Sequence, residues 1–302
     1  MASIWQELSK EISSTIDKAG KSVVAVDGRS GHTSSGIVWR PDIVLTAAHT
    51  IRHETGIRVI LGPESSVHAK LAGSDRGSDI ALLKLVQEID APPAQLSNPT
   101  PLAIGDFTVA IARTRRGHIV ASSGIISGLM GEWSVARTRI DQFIRPDLNL
   151  YPGFSGGVLV AADGTFLGLN TSGLLRGKPI TIPSSTLTRI AEEIAAKGHV
   201  AQPYIGLVMQ PVEIPATLQQ KAGVNTASGL LVMHVEPGGP ADGAGVLLGD
   251  ILIYVDGNTL DDLDDIHQAL SRKTIGQDLK VSYLRGGQKI EISFGVGERP
   301  PR

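Results

Sequence analysis

The chain has 302 residues, of which 41% are hydrophobic and 19% are charged, a balance typical of packed globular domains and not of disordered chains. At roughly 100–200 residues per domain, this length predicts two domains. The formal net charge of −2 leaves no general positive field, so neither nucleic acid nor anionic lipid is expected as a partner. A basic cluster at 113–118 lacks interleaved aromatic residues and predicts a solvated loop. The absence of cysteine excludes disulfides and a thiol nucleophile.

The first twenty residues carry an amphipathic pattern. Trp5, Leu8, Ile12 and Ile16 recur at helical spacing among charged residues, which predicts a helical arm over residues 1–20. The arm lacks the apolar run of a signal peptide, and the chain has no stretch of about 20 apolar residues that could span a membrane. We therefore expect a cytoplasmic chain as given, or a periplasmic or otherwise extracytoplasmic one if an upstream leader was removed.

Residues 22–182 consist of short β-rich runs separated by turn signals such as Asp27-Gly28 and Pro92-Pro93. Many short strands without intervening helices favour an antiparallel barrel or sandwich. The first long helical pattern follows at 186–197 and ends at Gly198, a helix-stop signal. Strands are expected at 22–26, 36–39, 43–46, 57–61, 80–86, 107–112 and 119–127.

The composition changes after a short polar joint at 198–203. Four predicted strands, at 229–234, 251–255, 279–284 and 289–294, surround one predicted helix at 261–272. This second part has about 100 residues, an ordinary domain size. It therefore predicts a compact α+β domain.

A serine flanked by glycines is the most informative feature. The segment Tyr-Pro-Gly-Phe-Ser-Gly-Gly at 151–157 contains Ser155, and such a segment lets backbone N–H groups converge beside an unhindered hydroxyl. Taken alone, it also fits the G-x-S-x-G elbow of α/β-hydrolases or an ordinary Gly/Ser turn. A hydroxyl becomes a nucleophile when an imidazole removes its proton and a carboxylate orients that imidazole. His49, after one apolar run, and Asp79, before another, can supply both groups.

The order His49, Asp79, Ser155 is the chymotrypsin order, whereas α/β-hydrolases run serine, acid, histidine with a helix directly after the nucleophile. The residues after Ser155 predict a hairpin, which argues against the hydrolase elbow. Asp75 competes as the acid, but it stands in a polar turn and is expected to be solvated, whereas position 79 is expected to be desolvated. His49 and His53 are four apart, yet position 50 is not the Glu of a zinc-peptidase motif, so no metal is expected.

Four motifs in this order resemble the HtrA/Deg-type, trypsin-like serine proteases: Thr-Ala-Ala-His at 46–49, Ser-Asp-Ile-Ala-Leu-Leu-Lys at 78–84, Pro-Gly-x-Ser-Gly-Gly at 152–157 and Leu-Gly-Leu-Asn-Thr at 167–171. Residues 203–298 resemble the PDZ module of that family, through Tyr-Ile-Gly-Leu at 204–207 and Glu-Pro-Gly-Gly-Pro-Ala at 236–241. The resemblance implies a mainly β chain. It would contain a double β-barrel, chymotrypsin-like protease domain at 21–198 and a small α+β PDZ domain at 203–298, after the helical arm at 1–20.

Carried over position by position, the resemblance implies His49 as general base, Asp79 as its orienting acid and Ser155 as nucleophile. The amides of Gly153 and Ser155 would donate to the oxyanion. Leu150 matches an apolar position of the primary substrate pocket. No cofactor is expected for this chemistry.

Two positions depart from the family pattern, because Phe154 and Tyr151 stand where the family usually has Asn. A backbone oxyanion hole tolerates the change at 154, but we expect Phe154 to alter the bulk beside the cleft. In chymotrypsin-like enzymes the base of the primary pocket is set about six residues before the nucleophile, and Asn149 offers no acid to pair with Lys or Arg. Cleavage is therefore expected after small or medium apolar residues.

The resemblance implies a serine endopeptidase that hydrolyses unfolded or misfolded proteins as a homo-trimer or larger assembly. The PDZ module is expected to bind C-terminal or apolar peptide segments as an added strand. The competing hypothesis is a catalytically silent scaffold that recruits partners through this groove. The residues expected to contact the bound peptide are Tyr204, Ile205, Gly206 and Leu207 in the loop, and His267 and Leu270 on the helix.

Overall fold

The structure is a computed structural model that describes residues 3–29, 32–96, 101–135, 138–175 and 177–299. The chain forms two compact units, Met1–Val200 and Ala201–Arg302. The predicted mainly β fold class is confirmed, since the first unit contains two closed barrels and the second a sheet with short helices. Residues 1 and 2 of the predicted arm lie outside the described residues.

Helix α1 (Ile4–Gly20) opens the first unit. Ser3 caps it, because the Ser3 hydroxyl accepts from the Gln6 N–H and the Gln6 side chain accepts from the Ser3 N–H, which satisfies two otherwise unpaired donors. The predicted helix is confirmed, but its apolar stripe is divided: Trp5 is 76% exposed. The inner part of the stripe packs against the core through Ile12 and Ile16.

Six antiparallel strands form the first barrel: β1 (Val23–Arg29), β2 (His32–Arg40), β3 (Ile43–Ala47), β4 (Ile57–Gly62), β5 (Ser65–Asp75) and β6 (Ile80–Leu85). They close in the order β1-β2-β3-β6-β5-β4. Five of these strands were predicted, because Val, Ile and Leu fill their inward positions. Strand β5 was not predicted, because Ser, His and Lys occupy exposed positions along it.

The next eight strands are β7 (Phe107–Arg113), β8 (Ile119–Met130), β9 (Trp133–Val135), β10 (Thr138–Ile140), β11 (Phe143–Asp147), β12 (Val158–Ala161), β13 (Phe166–Leu175) and β14 (Lys178–Pro183). Six of them close the second barrel in the order β11-β14-β13-β12-β7-β8. The other two, β9 and β10, pair only with each other in the described residues and form a separate hairpin.

Helix α2 (Ser184–Lys197) closes the first unit and ends at Gly198, whose φ of +79° suits glycine. Helix α2 begins at Ser184, two residues before the predicted start at residue 186. Its buried face includes Leu187, Ile190 and Ile194, and these residues join one core with buried residues of both barrels. This shared core holds the two barrels together, so groups on one barrel keep fixed positions relative to groups on the other.

The second unit contains β15 (Pro203–Tyr204), β16 (Leu207–Glu213), α3 (Ala216–Ala222), β17 (Ser228–Val235), α4 (Pro240–Gly243), β18 (Ile251–Val255), β19 (Asn258–Thr259), α5 (Leu263–Ser271), β20 (Asp278–Arg285), β21 (Gln288–Gly295) and β22 (Gly297–Glu298). The main sheet has the order β16-β17-β18-β20-β21, with β19 beside β18, and β15 pairs with β22. Asp262 caps α5 in a capping box with Asp265. Strand β16 lies at one edge of the sheet.

Candidate active site and peptide groove

The imidazole and the predicted orienting carboxylate are in direct contact. His49 lies in a 3₁₀ turn, Ala48–Thr50, directly after β3, and Asp79 directly precedes β6, the strand paired with β3. His49 Nδ1 is 2.7 Å from Asp79 Oδ2, and the His49 backbone N–H donates to Asp79 Oδ1 at 2.7 Å. An ionised carboxylate only accepts hydrogen bonds, so Nδ1 carries the proton. His49 Nε2 is therefore the ring atom that can take a proton from a hydroxyl.

Asp79 is held from several sides, and its side chain is only 5% exposed. The Thr171 hydroxyl, on β13 of the second barrel, donates to Asp79 Oδ2, and the Ala48 N–H donates to the Asp79 carbonyl at 2.9 Å. These partners compensate for the burial of a charged group. A Cβ at Gly173 would lie 2.5 Å from His49 Nδ1 and 2.7 Å from Asp79 Oδ2. Glycine at 173 is therefore what lets β13 cross so closely over the pair.

Asp75, which the sequence analysis expected to be solvated, is buried and 4% exposed. Its Oδ2 accepts from the Ser78 N–H at 2.7 Å and from the Thr138 hydroxyl at 3.1 Å. The prediction was wrong because the polar turn folds its own N–H groups onto this carboxylate. The contact with His49 nevertheless belongs to Asp79, as the comparison of the two acids predicted.

The loop that carries Ser155 joins β11 to β12 and is attached to both barrels. The Ser35 N–H, on β2, donates to the Ser155 carbonyl at 2.9 Å, and the Ser35 hydroxyl donates to the Gly153 carbonyl at 2.8 Å. The Gly156 N–H donates to the Asn170 carbonyl on β13 at 2.8 Å. Gly156 has a φ of +86°, and a Cβ there would lie 2.0 Å from the Ser35 carbonyl oxygen. The loop conformation therefore requires glycine at 156.

The turn before Ser155 leaves two N–H groups without acceptors. The Phe154 N–H donates to the Tyr151 carbonyl at 3.0 Å, and Gly153 adopts a φ of +99° in this turn. Within the described ranges, neither the Gly153 N–H nor the Ser155 N–H has a hydrogen-bond acceptor. Two donors without acceptors beside a hydroxyl form the arrangement that a developing oxyanion requires.

The Ser155 hydroxyl is held by a residue that the sequence analysis did not single out. Ser155 Oγ lies 3.2 Å from Ser172 Oγ, and the Ser172 N–H donates to Ser155 Oγ at 3.4 Å. In the part of the chain that the structure describes, no hydrogen bond joins Ser155 to His49, although both line one cleft. Such bonds are often long or absent in unliganded enzymes and form with substrate.

This cleft has a volume of about 650 Å³ and brings together His49, Gly153, Ser155 and Leu150. Leu150 packs partly against the core of the second barrel, which makes the adjoining wall apolar. Tyr151 also lines the cleft and is 57% exposed.

The expectation that Phe154 alters the bulk beside the cleft is wrong. Phe154 is 3% exposed and lies among the buried residues of the second barrel. Its ring contacts the Tyr151 ring edge-on at a centroid distance of 5.9 Å. The additional bulk beside the cleft therefore comes from Tyr151.

Arg113 does not belong to a solvated loop, contrary to the prediction for the basic cluster. Its guanidinium donates to three carbonyls, those of Val23 at 2.6 Å, Gly117 at 2.7 Å and Gly20 at 2.9 Å. Burial lowers the pKa of Arg113 from its ordinary value. The Arg113 backbone N–H donates to Ser35 Oγ at 3.0 Å. Arg113 therefore links the end of α1 to the serine that supports the nucleophile loop.

In the second unit, the segment predicted as a carboxylate-binding loop runs directly into the edge strand β16. Ile205 is buried at 3% exposure, and Leu207 begins β16. Within the described residues, the N–H groups of Ile205 and Gly206 have no hydrogen-bond acceptor. Free amides beside a sheet edge can receive a peptide that adds a strand.

The two helix positions predicted to contact a peptide differ in exposure. His267 is half-buried on α5. Leu270 is 8% exposed and belongs to the hydrophobic core of the second unit, together with Ile266. Leu270 therefore offers little surface to a ligand, and its predicted contact stays a prediction.

A cation beside this loop was missed by the sequence analysis. Arg299 lines a cavity of about 300 Å³ together with Tyr204 and Gly206, and its guanidinium lies 5.6 Å from the centre of the Tyr204 ring. The Arg299 Nε is buried and has no hydrogen-bond partner among the described residues. The sequence signal was weak, because Arg299 stands just beyond the predicted end of the domain.

Within the described ranges, no three His, Cys, Asp or Glu side chains are grouped so that they could hold a metal ion. The same ranges contain no helix with the length and apolar character that a membrane crossing needs.

Comparisons with known proteins agree with the geometry. Residues 34–169 match the family described as trypsin-like peptidase domain, and residues 203–296 match the PDZ domain family. The putative serine protease HhoB of Synechocystis sp. is 31% identical over 91% of this chain and 68% of its own length. The chloroplastic protease Do-like 1 of Arabidopsis thaliana is 32% identical over 89% of this chain. A probable periplasmic serine endoprotease, DegP-like, of Halomonas elongata is 28% identical over 94% of this chain.

The chain spans 64% of the Arabidopsis protein and 61% of the Halomonas protein, less than two thirds of either. Among solved structures, the serine endoprotease from Yersinia pestis is similar with a TM-score of 0.72 and 28% identity, over 95% of this chain and 98% of that one. The HtrA-type protease AlgW with a tripeptide gives a TM-score of 0.70 and 27% identity, over 96% of this chain and 98% of that one.

Proposed function

Because the chain belongs to the HtrA/Deg family of trypsin-like serine proteases with a PDZ domain, we propose that it is a serine endopeptidase acting on unfolded or misfolded proteins. His49 is the general base, Asp79 its orienting acid and Ser155 the nucleophile. The observation that carries the proposal is the meeting of the His49–Asp79 pair, the Ser155 hydroxyl and two N–H groups without acceptors at one cleft.

The first half of the reaction acylates the serine. His49 Nε2 takes the proton from Ser155 Oγ while Oγ bonds to the substrate carbonyl carbon, and the carbonyl electron pair moves to its oxygen. The N–H groups of Gly153 and Ser155 donate to that oxyanion, and each such donor contributes about 10²–10³-fold to kcat. When the intermediate collapses, the imidazolium returns its proton to the departing amine, leaving an acyl-enzyme.

The second half hydrolyses the acyl-enzyme by the same groups. His49 Nε2 takes a proton from water, the hydroxide bonds to the acyl carbon, and the proton then passes to Ser155 Oγ as the ester bond breaks. Asp79 stays ionised and stabilises the imidazolium in both halves through its bond to Nδ1. No step consumes a cofactor.

The resting contact between Ser155 and Ser172 adds one requirement. The Ser155 hydroxyl must exchange this partner for His49 Nε2 before attack. Substrate binding in the cleft can drive the exchange, because a substrate backbone would occupy the space beside Ser172.

The organisation that we propose assigns residues 1–20 to a helical arm, 21–198 to the protease domain and 203–298 to the PDZ domain. The PDZ domain binds C-terminal or apolar peptide segments as a strand added to β16. The free amides of Ile205 and Gly206 would receive a terminal carboxylate, and the position of Arg299 supports an anionic ligand there. The solved relative with a bound tripeptide supports peptide binding by this family.

We further propose a homo-trimer or larger assembly with α1 in the contact, since Ile4 and Trp5 are 77% and 76% exposed and exposed apolar patches mark interaction surfaces. Sedimentation equilibrium of the chain and of Trp5→Ala tests this. We propose a periplasmic or other extracytoplasmic compartment over the cytoplasm, because the Halomonas relative is described as periplasmic. Fractionation of the source cells tests the compartment.

The proposed activity is tested by labelling with a serine-directed fluorophosphonate, followed by peptide mass mapping. We expect one modified residue, Ser155, and faster labelling when unfolded casein is present. His49→Ala should abolish the labelling while leaving the circular dichroism spectrum unchanged. If Ser155 of the parent chain stays unlabelled with and without casein, the result would favour the catalytically silent scaffold.

A further inference from the structure

A buried carboxylate lies beside the proposed triad without taking part in it. Asp75, at the end of β5, is 4% exposed. Burying a carboxylate costs free energy unless the carboxylate accepts hydrogen bonds. The hydrogen bonds that Asp75 accepts indicate its role.

The first role of Asp75 is to close the turn that leads to Asp79. Its Oδ1 accepts from the Gly77 N–H at 3.3 Å and its Oδ2 from the Ser78 N–H at 2.7 Å. Directly after these two donors, Asp79 adopts a φ of +58°, which residues with a Cβ rarely adopt. Such a backbone conformation persists only where the surroundings over-determine it. The Asp75 carboxylate provides part of that constraint.

The second role joins the turn to another part of the unit. Asp75 Oδ2 also accepts from the Thr138 hydroxyl at 3.1 Å, and Thr138 begins β10 of the separate hairpin. The hairpin is itself attached to α2, because Arg189 donates to the Arg139 carbonyl at 2.7 Å. One carboxylate oxygen thus connects the turn before Asp79 with a hairpin that lies outside both barrels.

We propose that Asp75 is a positioning residue for the proposed triad: it holds the turn in which Asp79 faces His49, and it ties that turn to the hairpin through Thr138. This inference rests on the proposed function. Asp79 in turn holds both the imidazole and the backbone N–H of His49. A change at Asp75 therefore reaches the reacting atoms through Asp79 and His49, without any contact with the substrate.

The chain offers a graded set of variants. Asp75→Ala removes every acceptor. Asp75→Asn keeps one carbonyl oxygen, which can still accept from Ser78 and Thr138. Thr138→Val removes only the link to the hairpin. Thr108→Val is the matched control, because the Thr108 hydroxyl is buried on β7 without a hydrogen-bond partner among the described residues.

The measurement is kcat and KM on a chromogenic peptide, with thermal unfolding of each variant alongside. We expect kcat to fall by about 100-fold in Asp75→Ala, the cost of a small misplacement of a catalytic group, with KM changed by less than about threefold. Asp75→Asn should regain kcat to within about tenfold of the parent. Thr138→Val should lose about fivefold in kcat, and Thr108→Val should match the parent.

Three outcomes would overturn the inference: parental kcat in folded Asp75→Ala, no recovery of kcat in Asp75→Asn, or equal kcat in Thr138→Val and Thr108→Val. If Asp75→Ala does not fold, the other variants decide. The variant Ser155→Ala distinguishes a failure of the proposed function from a failure of the positioning role of Asp75. Activity retained in Ser155→Ala contradicts the proposed function, whereas an active Asp75→Ala beside an inactive Ser155→Ala contradicts only the positioning role.

Discussion

Replacing Gly173 by alanine is expected to disable the proposed triad without altering any of its members. The added Cβ would lie 2.5 Å from His49 Nδ1, 2.7 Å from Asp79 Oδ2 and 2.9 Å from His49 Cγ. The optimal separation of non-bonded carbon atoms is about 3.5–4.0 Å. The imidazole, β13 or both must therefore move by about 1 Å. The hydrogen bond between His49 Nδ1 and Asp79 Oδ2 is 2.7 Å long, so a shift of that size would weaken or break it.

The size of the effect follows from that displacement. A misplacement of about 1 Å in a catalytic arrangement costs about 100-fold in kcat. Complete loss of the orienting acid in a trypsin-like triad costs about 10⁴-fold, which sets the upper limit. KM for a short peptide should change much less than kcat, because the atoms that the new Cβ displaces belong to His49 and Asp79, which act in the chemical step.

The assay compares kcat for a chromogenic peptide in the parent, Gly173→Ala and Gly131→Ala. Gly131 is a matched control, since a Cβ there would meet nothing within 4 Å. Thermal unfolding of both variants shows whether the fold survives. If Gly173→Ala keeps a kcat within about twofold of the parent, the inferred contact between His49 and Asp79 does not support catalysis and the reasoning fails.

Three other predictions concern the nucleophile loop, the pocket and the peptide groove. Ser35→Ala should lower kcat by about tenfold to 100-fold in steady-state assays, because the nucleophile loop loses the hydrogen bond from Ser35 to the Gly153 carbonyl. An unchanged kcat would show that the loop keeps its conformation without this hydrogen bond. Peptide-library profiling should show cleavage after small or medium apolar residues at the pocket beside Leu150, and a profile dominated by Lys or Arg would contradict this. In calorimetric titrations, Arg299→Gln should lower the affinity for peptides with a free C-terminal carboxylate more than the affinity for amidated peptides. Gly206→Glu should abolish binding of both peptide types. Equal losses of affinity for the two types in Arg299→Gln would exclude a charge pair between Arg299 and the carboxylate.

The strands and the site were predictable to different degrees. Strands such as β3 and β6 are rich in Val, Ile and Leu, so their local pattern agrees with their buried positions. The β5 strand has charged or polar residues at its outward positions and glycine near its end, and the hairpin of β9 and β10 has three residues in each strand. Both obtain their regularity from partner strands, which no local pattern reveals.

The side-chain environments show the same limit. His49, Asp79 and Ser155 were singled out because triad chemistry restricts residue types and order. Asp75 and Arg113 were expected to be solvated because they are charged and stand in or next to turns. Their burial depends on partners distant in the sequence, such as Thr138 for Asp75, which is 63 positions away.

The most direct test of the proposed function is casein hydrolysis by Ser155→Ala and His49→Ala beside the parent chain. Because triad members act as a unit, each variant should lose about 10⁶-fold in kcat, and the double variant should lose no more than either alone. Circular dichroism should show the parental fold in all three variants. Hydrolysis that continues at the parental rate in Ser155→Ala would contradict the assignment of Ser155 as the nucleophile and, with it, the proposed protease mechanism.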